Sequence, residues 1–187
     1  MNEQAMVAII AILVLAVIGL VAYIYLQKRR SDQLRSRFGP EYDRAIHEHG
    51  DRSKAERELQ ARKERVTQLH IVPLSHDDAR RFEDEWRQVQ GRFVDDPRRA
   101  VEDADRLVQE LMQKRGYPMA DFETRAADIS VDHPKVVENY RIGHWVALEN
   151  KRGTASTEDL RRALVHYRSL FDELLEVEQP EPVGVRK

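Results

Sequence analysis

From Ala5 to Leu26 the chain runs AMVAIIAILVLAVIGLVAYIYL, 22 residues without a charge. As a helix such a stretch covers roughly 33 Å, which matches a bilayer hydrocarbon core of about 30 Å. A core helix of a soluble domain is seldom apolar on every face for so long. A cleaved secretory signal needs a basic n-region, a shorter apolar run and small residues at its cleavage site. Here the run is preceded by Glu3 with no Lys or Arg, and it ends in Tyr23, Tyr25, Gln27, Lys28, Arg29 and Arg30. The expectation is an uncleaved transmembrane helix over residues 5–26, a signal anchor. Its small residues, Ala5, Ala8, Ala11, Ala16, Gly19 and Ala22, are never four apart, so the small-xxx-small face of a close helix pair is missing.

Charge sets the expected orientation. Lys28, Arg29, Arg30, Arg35 and Arg37 stand against Asp32 directly after the run, and basic flanks are retained in the cytoplasm. The reading places the N-terminus outside the cell (plasma) membrane and the rest of the chain in the cytoplasm. A domain outside the cell is permitted by the lack of cysteine but opposed by this flank. Tyr23 and Tyr25 fall where aromatic rings favour the headgroup region. Lys28, Arg29 and Arg30 would each gain about 1 kcal/mol from anionic lipid. Membrane lipid is therefore the expected partner of the cluster. Residues 27–69 hold twelve Lys/Arg against eight Asp/Glu, whereas residues 70–187 hold nineteen against twenty-four. No nucleic acid is expected, because the larger part is net acidic and shows no stripe of basic and aromatic residues.

With no cysteine in 187 residues, disulfides, thiolate nucleophiles and Cys-ligated metals are excluded. Hydrophobic periodicity then divides the remainder. Gly39-Pro40 breaks the anchor helix, and residues 27–69 read as a basic juxtamembrane segment and charged helical stalk, whose last piece, residues 51–69, has only Ala55, Leu59, Val66 and Leu69 on an apolar line. His70 to Leu74 interrupts helical spacing, and Ser75 with Asp78 resembles a capping box. Over residues 75–175 four long apolar stripes follow. The first holds Phe82, Trp86, Val89 and Phe93. The second opens at Asp95/Asp96 with Pro97, carries Ala100, Val101, Ala104, Leu107, Val108, Leu111 and Met112, and stops at Gly116. The third opens at Asp132/His133 with Pro134, lines up Val137, Tyr140, His144, Ala147 and Leu148, and ends before Gly153. The fourth, capped by Ser156 or Thr157, holds Leu160, Ala163, Leu164, Tyr167, Phe171, Leu174 and Leu175. A short helix within Met119–Ser130 presents Phe122, Ala126 and Ile129. The predicted class is all-α: a transmembrane helix, a stalk and a soluble antiparallel helical bundle. Residues 176–187, with Pro180, Pro182 and Gly184, have nothing to bury and are expected to be disordered.

The segments FGPEYDR (38–44), RGYP (115–118), DISVDHPKVVENYR (128–141) and ASTEDLRRALVHYRSLFDELL (155–175) resemble an uncharacterised family of small bacterial single-pass membrane proteins. The resemblance implies a shared fold and a bacterial source. It brings no activity, cofactor or catalytic residue.

Chemistry is sparse. His47 and His49 are two apart, which on a helix sends them to different faces, unlike four-spaced metal ligands. His144 and His166, beside Tyr140 and Tyr167, lie on or next to apolar stripes and are read as a buried polar pair hydrogen-bonded in the interior. Asp132, His133 and Pro134 read as a helix start with its cap. Carboxylates are plentiful, but most sit among Lys and Arg at helix-surface spacing and no pair stands out as general acid and base. No Gly-rich phosphate loop, G-x-S-x-G or H-E-x-x-H occurs, so no catalytic, cofactor or metal residue is assigned and the chain is not expected to be an enzyme. The turn Arg115-Gly116-Tyr117-Pro118 with Asp132 and His133 is the candidate interaction surface, since loops on a rigid scaffold often carry function. The functional expectation is a membrane-tethered interaction or scaffold module with an unidentified protein partner. The alternative is a membrane-associated enzyme or ligand sensor using His144, His166 and Tyr140.

Overall fold

The computed structural model describes residues 3–177, with side chains from Ile12 onward. Eight α-helices make up all the regular structure there, so the chain is all-helical. It divides into two compact units, residues 1–60 and 61–187.

In the first unit α1 (Glu3–Phe38) continues without a break from the apolar run through the basic flank. It stops where sequence predicts: Gly39 takes φ 49°, a left-handed value that favours glycine, and Pro40 opens α2 (Pro40–His49). Gly50 ends α2, and the Asp51 carboxylate accepts the Lys54 N–H at 2.8 Å at the start of α3 (Arg52–Thr67). Helix α2 packs on α1, and Leu34, Phe38, Tyr42, Ala45, Ala55 and Leu59 are buried. Residues 27–69 thus bury more than the line Ala55, Leu59, Val66 and Leu69 alone would. The apolar line is thin, but Phe38 and Tyr42 are large and occupy the one face that needs covering.

The second unit contains α4 (His76–Arg92), α5 (Pro97–Arg115), α6 (Phe122–Asp132), α7 (Val137–Arg152) and α8 (Thr157–Leu174). Ser75, Asp96 and Ser156 cap α4, α5 and α8, the last in a full capping box with Asp159. The seven apolar residues of the second stripe are all buried on α5, which packs against α4, α7 and α8. Trp86 of α4 stacks on Phe171 of α8 with ring centroids 4.7 Å apart. Two readings change. Helix α6 runs on to Asp132, and Pro134 lies in the turn before α7, so neither Asp132 nor His133 caps α7; the His133 carbonyl instead accepts the Val136 and Val137 N–H groups. At the far end Leu74 forms a parallel bridge with Val177, its N–H donating to the Glu176 carbonyl at 2.8 Å. The stretch expected to bury nothing thus begins with two paired residues, and residues 178–187 of that predicted tail lie outside those described.

Gly116 and Gly153 both end helices with positive φ, 98° and 79°, but only Gly116 lies against other backbone, where a Cβ would collide with the His70 carbonyl. Gly153→Ala should cost about 1 kcal/mol of left-handed strain, and Gly116→Ala a further 1–3 kcal/mol for the displaced backbone. Urea denaturation of the two variants measures both; equal losses would contradict the close approach at His70.

Candidate functional site

The predicted membrane flank is laid out on α1. Tyr23, Tyr25, Lys28, Arg29 and Arg30 are all exposed. The next residue, Ser31, is buried in a polar knot that joins α1, α2 and α3. The Tyr42 hydroxyl donates to Glu56 Oε1 at 2.7 Å and lies 3.0 Å from Ser31 Oγ. Ser31 also donates to Glu56. Arg52 Nε donates to Glu56 at 2.9 Å and to the Tyr42 hydroxyl at 3.1 Å, and its guanidinium reaches Ser31. Partial burial pushes the Glu56 carboxyl up, but the donors from Ser31, Tyr42 and Arg52 outweigh it and hold the pKa below the ordinary value.

The second unit has a polar interior around Asp105 of α5. Tyr167 of α8 donates to its Oδ1 at 2.8 Å, and Gln109 donates to its Oδ2 at 2.8 Å. His144 Nδ1 stands 3.8 Å from Oδ1, beyond hydrogen-bond length, and has no hydrogen-bond partner. Phe122 stacks on the His144 ring at 3.8 Å between centroids. Tyr140, next to this group, accepts from Arg125 Nε at 3.1 Å. Burial pushes the Asp105 carboxyl up, yet His144, Tyr167 and Gln109 together hold it below its ordinary value, while burial and the facing carboxylate drive the Tyr167 phenol well up. The predicted histidine pair is not what assembles here. His166 turns to Asn139 instead, its Nδ1 2.9 Å from Oδ1, and burial together with the Arg162 guanidinium keeps it below the usual imidazole value. Sequence spacing identified His144 and Tyr140 but missed Asp105, because a lone acid between apolar positions is indistinguishable from a surface residue until its partner helices are known.

The predicted interaction surface proves to be mostly internal. Arg115, 4% exposed, ties three segments together: its guanidinium donates to the Val72 carbonyl at 3.3 Å, the Leu174 carbonyl at 3.2 Å and Glu176 at 2.8 Å. Tyr117 is buried, with its phenol pushed up by burial first and by the Asp132 carboxylate second. His133 is buried beside Glu173, Nδ1 to Oε1 3.3 Å. Pro118 is half-buried, and of this set only Gly116 and Asp132 are exposed. Glycine, tyrosine and proline here build a turn, and the arginine is consumed in closing it. The outward surface of α7 is more informative: Trp145 is 60% exposed and Leu148, expected in the core, is 37% exposed. Among the described residues no group of three or more His, Asp or Glu is arranged to hold a metal ion.

At pH 7 Asp105→Ala should cost about 1–3 kcal/mol by leaving the buried Tyr167 hydroxyl without an acceptor, and Asp105→Asn less, since its amide oxygen can accept. A carboxylate whose folded pKa lies below the unfolded value of about 3.9 contributes stability that is fully present above that pH and lost as pH falls through the folded pKa. The stability gap between wild type and Asp105→Asn should therefore narrow on acidification below about pH 4, as read by urea titrations at neutral and acid pH. A constant gap would show that Asp105 is not held ionised. No protein-family model, no curated protein and no solved structure matches the chain, so the reading of these sites rests on the chemistry of their own residues.

Proposed function

We propose that the chain is a single-pass protein of the cell membrane that holds a non-catalytic helical interaction module on the cytoplasmic side. One observation carries this. From Ile12 to Leu26 every large apolar side chain of α1 is more than half exposed, and among the described residues α1 is the only helix long and apolar enough to cross a bilayer. Surface of that extent is costly in water and suits hydrocarbon. The orientation follows from the basic flank at Lys28, Arg29, Arg30, Arg35 and Arg37, which also attracts anionic headgroups. The connectors between α4 and α5 and between α7 and α8 are short, which favours an antiparallel bundle for the second unit. A protein partner is supported by Trp145, since exposed tryptophan next to Leu148 is the kind of side chain that dominates protein interfaces. The resemblance to small bacterial membrane proteins agrees with this reading. No nucleic acid is involved in it.

A second reading, a ligand sensor or enzyme built on His144, is favoured by the unpartnered Nδ1 beside Asp105. His144→Gln separates the two. A folded variant that loses a ligand supports the sensor, whereas an unfolded one assigns His144 to the core.

Protease protection with a tag after Lys187 tests topology. The tag should be shielded in intact cells and cut in inverted vesicles; cleavage from outside would reverse the orientation. In the same cells Trp145→Ala should leave the melting temperature unchanged and reduce crosslinking to the module's partner, and unchanged crosslinking would remove α7 as the contact.

A further inference from the structure

Ile24, Lys28 and Ser31 lie on one face of α1 at helical spacing, and the start of α3, with Asp51, Arg52 and Glu56, completes an open groove of about 410 Å³ with them. Ile24 is two residues inside the end of the apolar run and Lys28 two residues beyond it, about 3 Å to either side at the helical rise. With α1 in a bilayer, the groove opens at headgroup depth. Its four charges are not equivalent. Arg52 and Glu56 satisfy each other and Ser31 and Tyr42. Lys28 has no hydrogen bond or ion pair among the described residues, and Asp51 spends one carboxylate oxygen on the Lys54 N–H. An unpaired cation and a carboxylate with capacity to spare thus share one groove without meeting.

We infer that this groove seats the headgroup of an ethanolamine phospholipid, its phosphate against the Lys28 ammonium, its own ammonium against Asp51, and its first acyl carbons beside Ile24. A phosphate contact alone would fit any phospholipid, but the carboxylate adds discrimination. A choline headgroup carries no N–H to donate to Asp51, and a glycerol headgroup brings only neutral hydroxyls there, without the charge that strengthens an ammonium–carboxylate contact. The selection therefore differs from that of the basic flank as a whole, which favours net negative lipid. This inference rests on the membrane-spanning reading of α1.

The test uses the full chain in nanodiscs of equal parts phosphatidylethanolamine, phosphatidylcholine and phosphatidylglycerol, with lipid retained after gentle release read by native mass spectrometry. Wild type should retain the ethanolamine lipid in preference to both others. Asp51→Asn keeps the α3 cap, because Asn caps as well as Asp, and should erase the preference over choline. Lys28→Gln should lower total retained phospholipid about fivefold, the factor one interfacial cation contributes. Arg29→Gln, which belongs to the basic flank but does not line the groove, should lower only the retained phosphatidylglycerol and leave the preference for the ethanolamine lipid over choline unchanged. Equal retention of the three lipids by wild type, an Asp51→Asn profile like wild type, or an equal effect of Arg29→Gln would each overturn the site. Displacement of the lipid by millimolar soluble phosphoethanolamine would overturn the lipid as its occupant. A chain that fails to insert at all removes the membrane reading instead, an outcome seen before any lipid is weighed.

Discussion

Three helices, α4, α7 and α8, pack against α5, and the second unit is organised by what that enclosure demands. Hiding Ala100, Val101, Ala104, Leu107, Val108, Leu111 and Met112 supplies on the order of 1–3 kcal/mol for each larger side chain. The same enclosure removes Asp105 and Arg115 from water, and a buried charge without partners costs more than any one of those contacts returns. Tyr167, Gln109 and the carbonyls of Val72 and Leu174 are the response. They tie α8 and the chain on either side of the helices to α5 by direction as well as by burial, because an arginine fork accepts few geometries. Gly143 belongs to the same scheme: it lets α7 approach the Tyr167 ring, which a Cβ would meet at 3.1 Å.

The first unit solves a similar problem with smaller means. Phe38, Tyr42 and Ala45 give a few large side chains something to cover, and the direction of the fold is then set by the Ser31, Tyr42, Glu56 and Arg52 knot. Glu56 is the centre of that knot, for it receives from three different residues. Its partners come from α1, α2 and α3 in turn, so a single carboxylate helps hold the order of all three.

Helix boundaries were legible in sequence wherever a local hydrogen bond decides them. Ser75, Asp96 and Ser156 are read as caps because a side-chain oxygen three residues before a backbone N–H can only do one thing well, and Gly39, Gly116 and Gly153 mark stops because they accept left-handed backbone. Long-range partners were not legible. Arg115 looked like a surface residue in a turn because nothing nearby in sequence announces Val72, Leu174 or Glu176. The His133 and Pro134 pair looked like a cap for the opposite reason: the local pattern was adequate, but α6 extends two residues further and claims Asp132. His144 was placed inside on periodicity, whereas its neighbour Asp105 and the diversion of His166 to Asn139 depend on the rotation of α5 and α8 about their own axes, which spacing along one helix does not fix.

Helix α1 has one property whose effect reaches beyond its apolar surface. It spans 36 residues without interruption, about 54 Å at the helical rise, and beyond Glu3 at its start only the later part of that length carries charge. No loop or proline separates the uncharged part from Ser31, Leu34 and Phe38. A turn or tilt of the upper part of the helix therefore meets no break before the knot at Ser31 and the helix end at Gly39. The helix is a shaft as much as a tether, and its torque ends on the side chains that hold α2 and α3 in place.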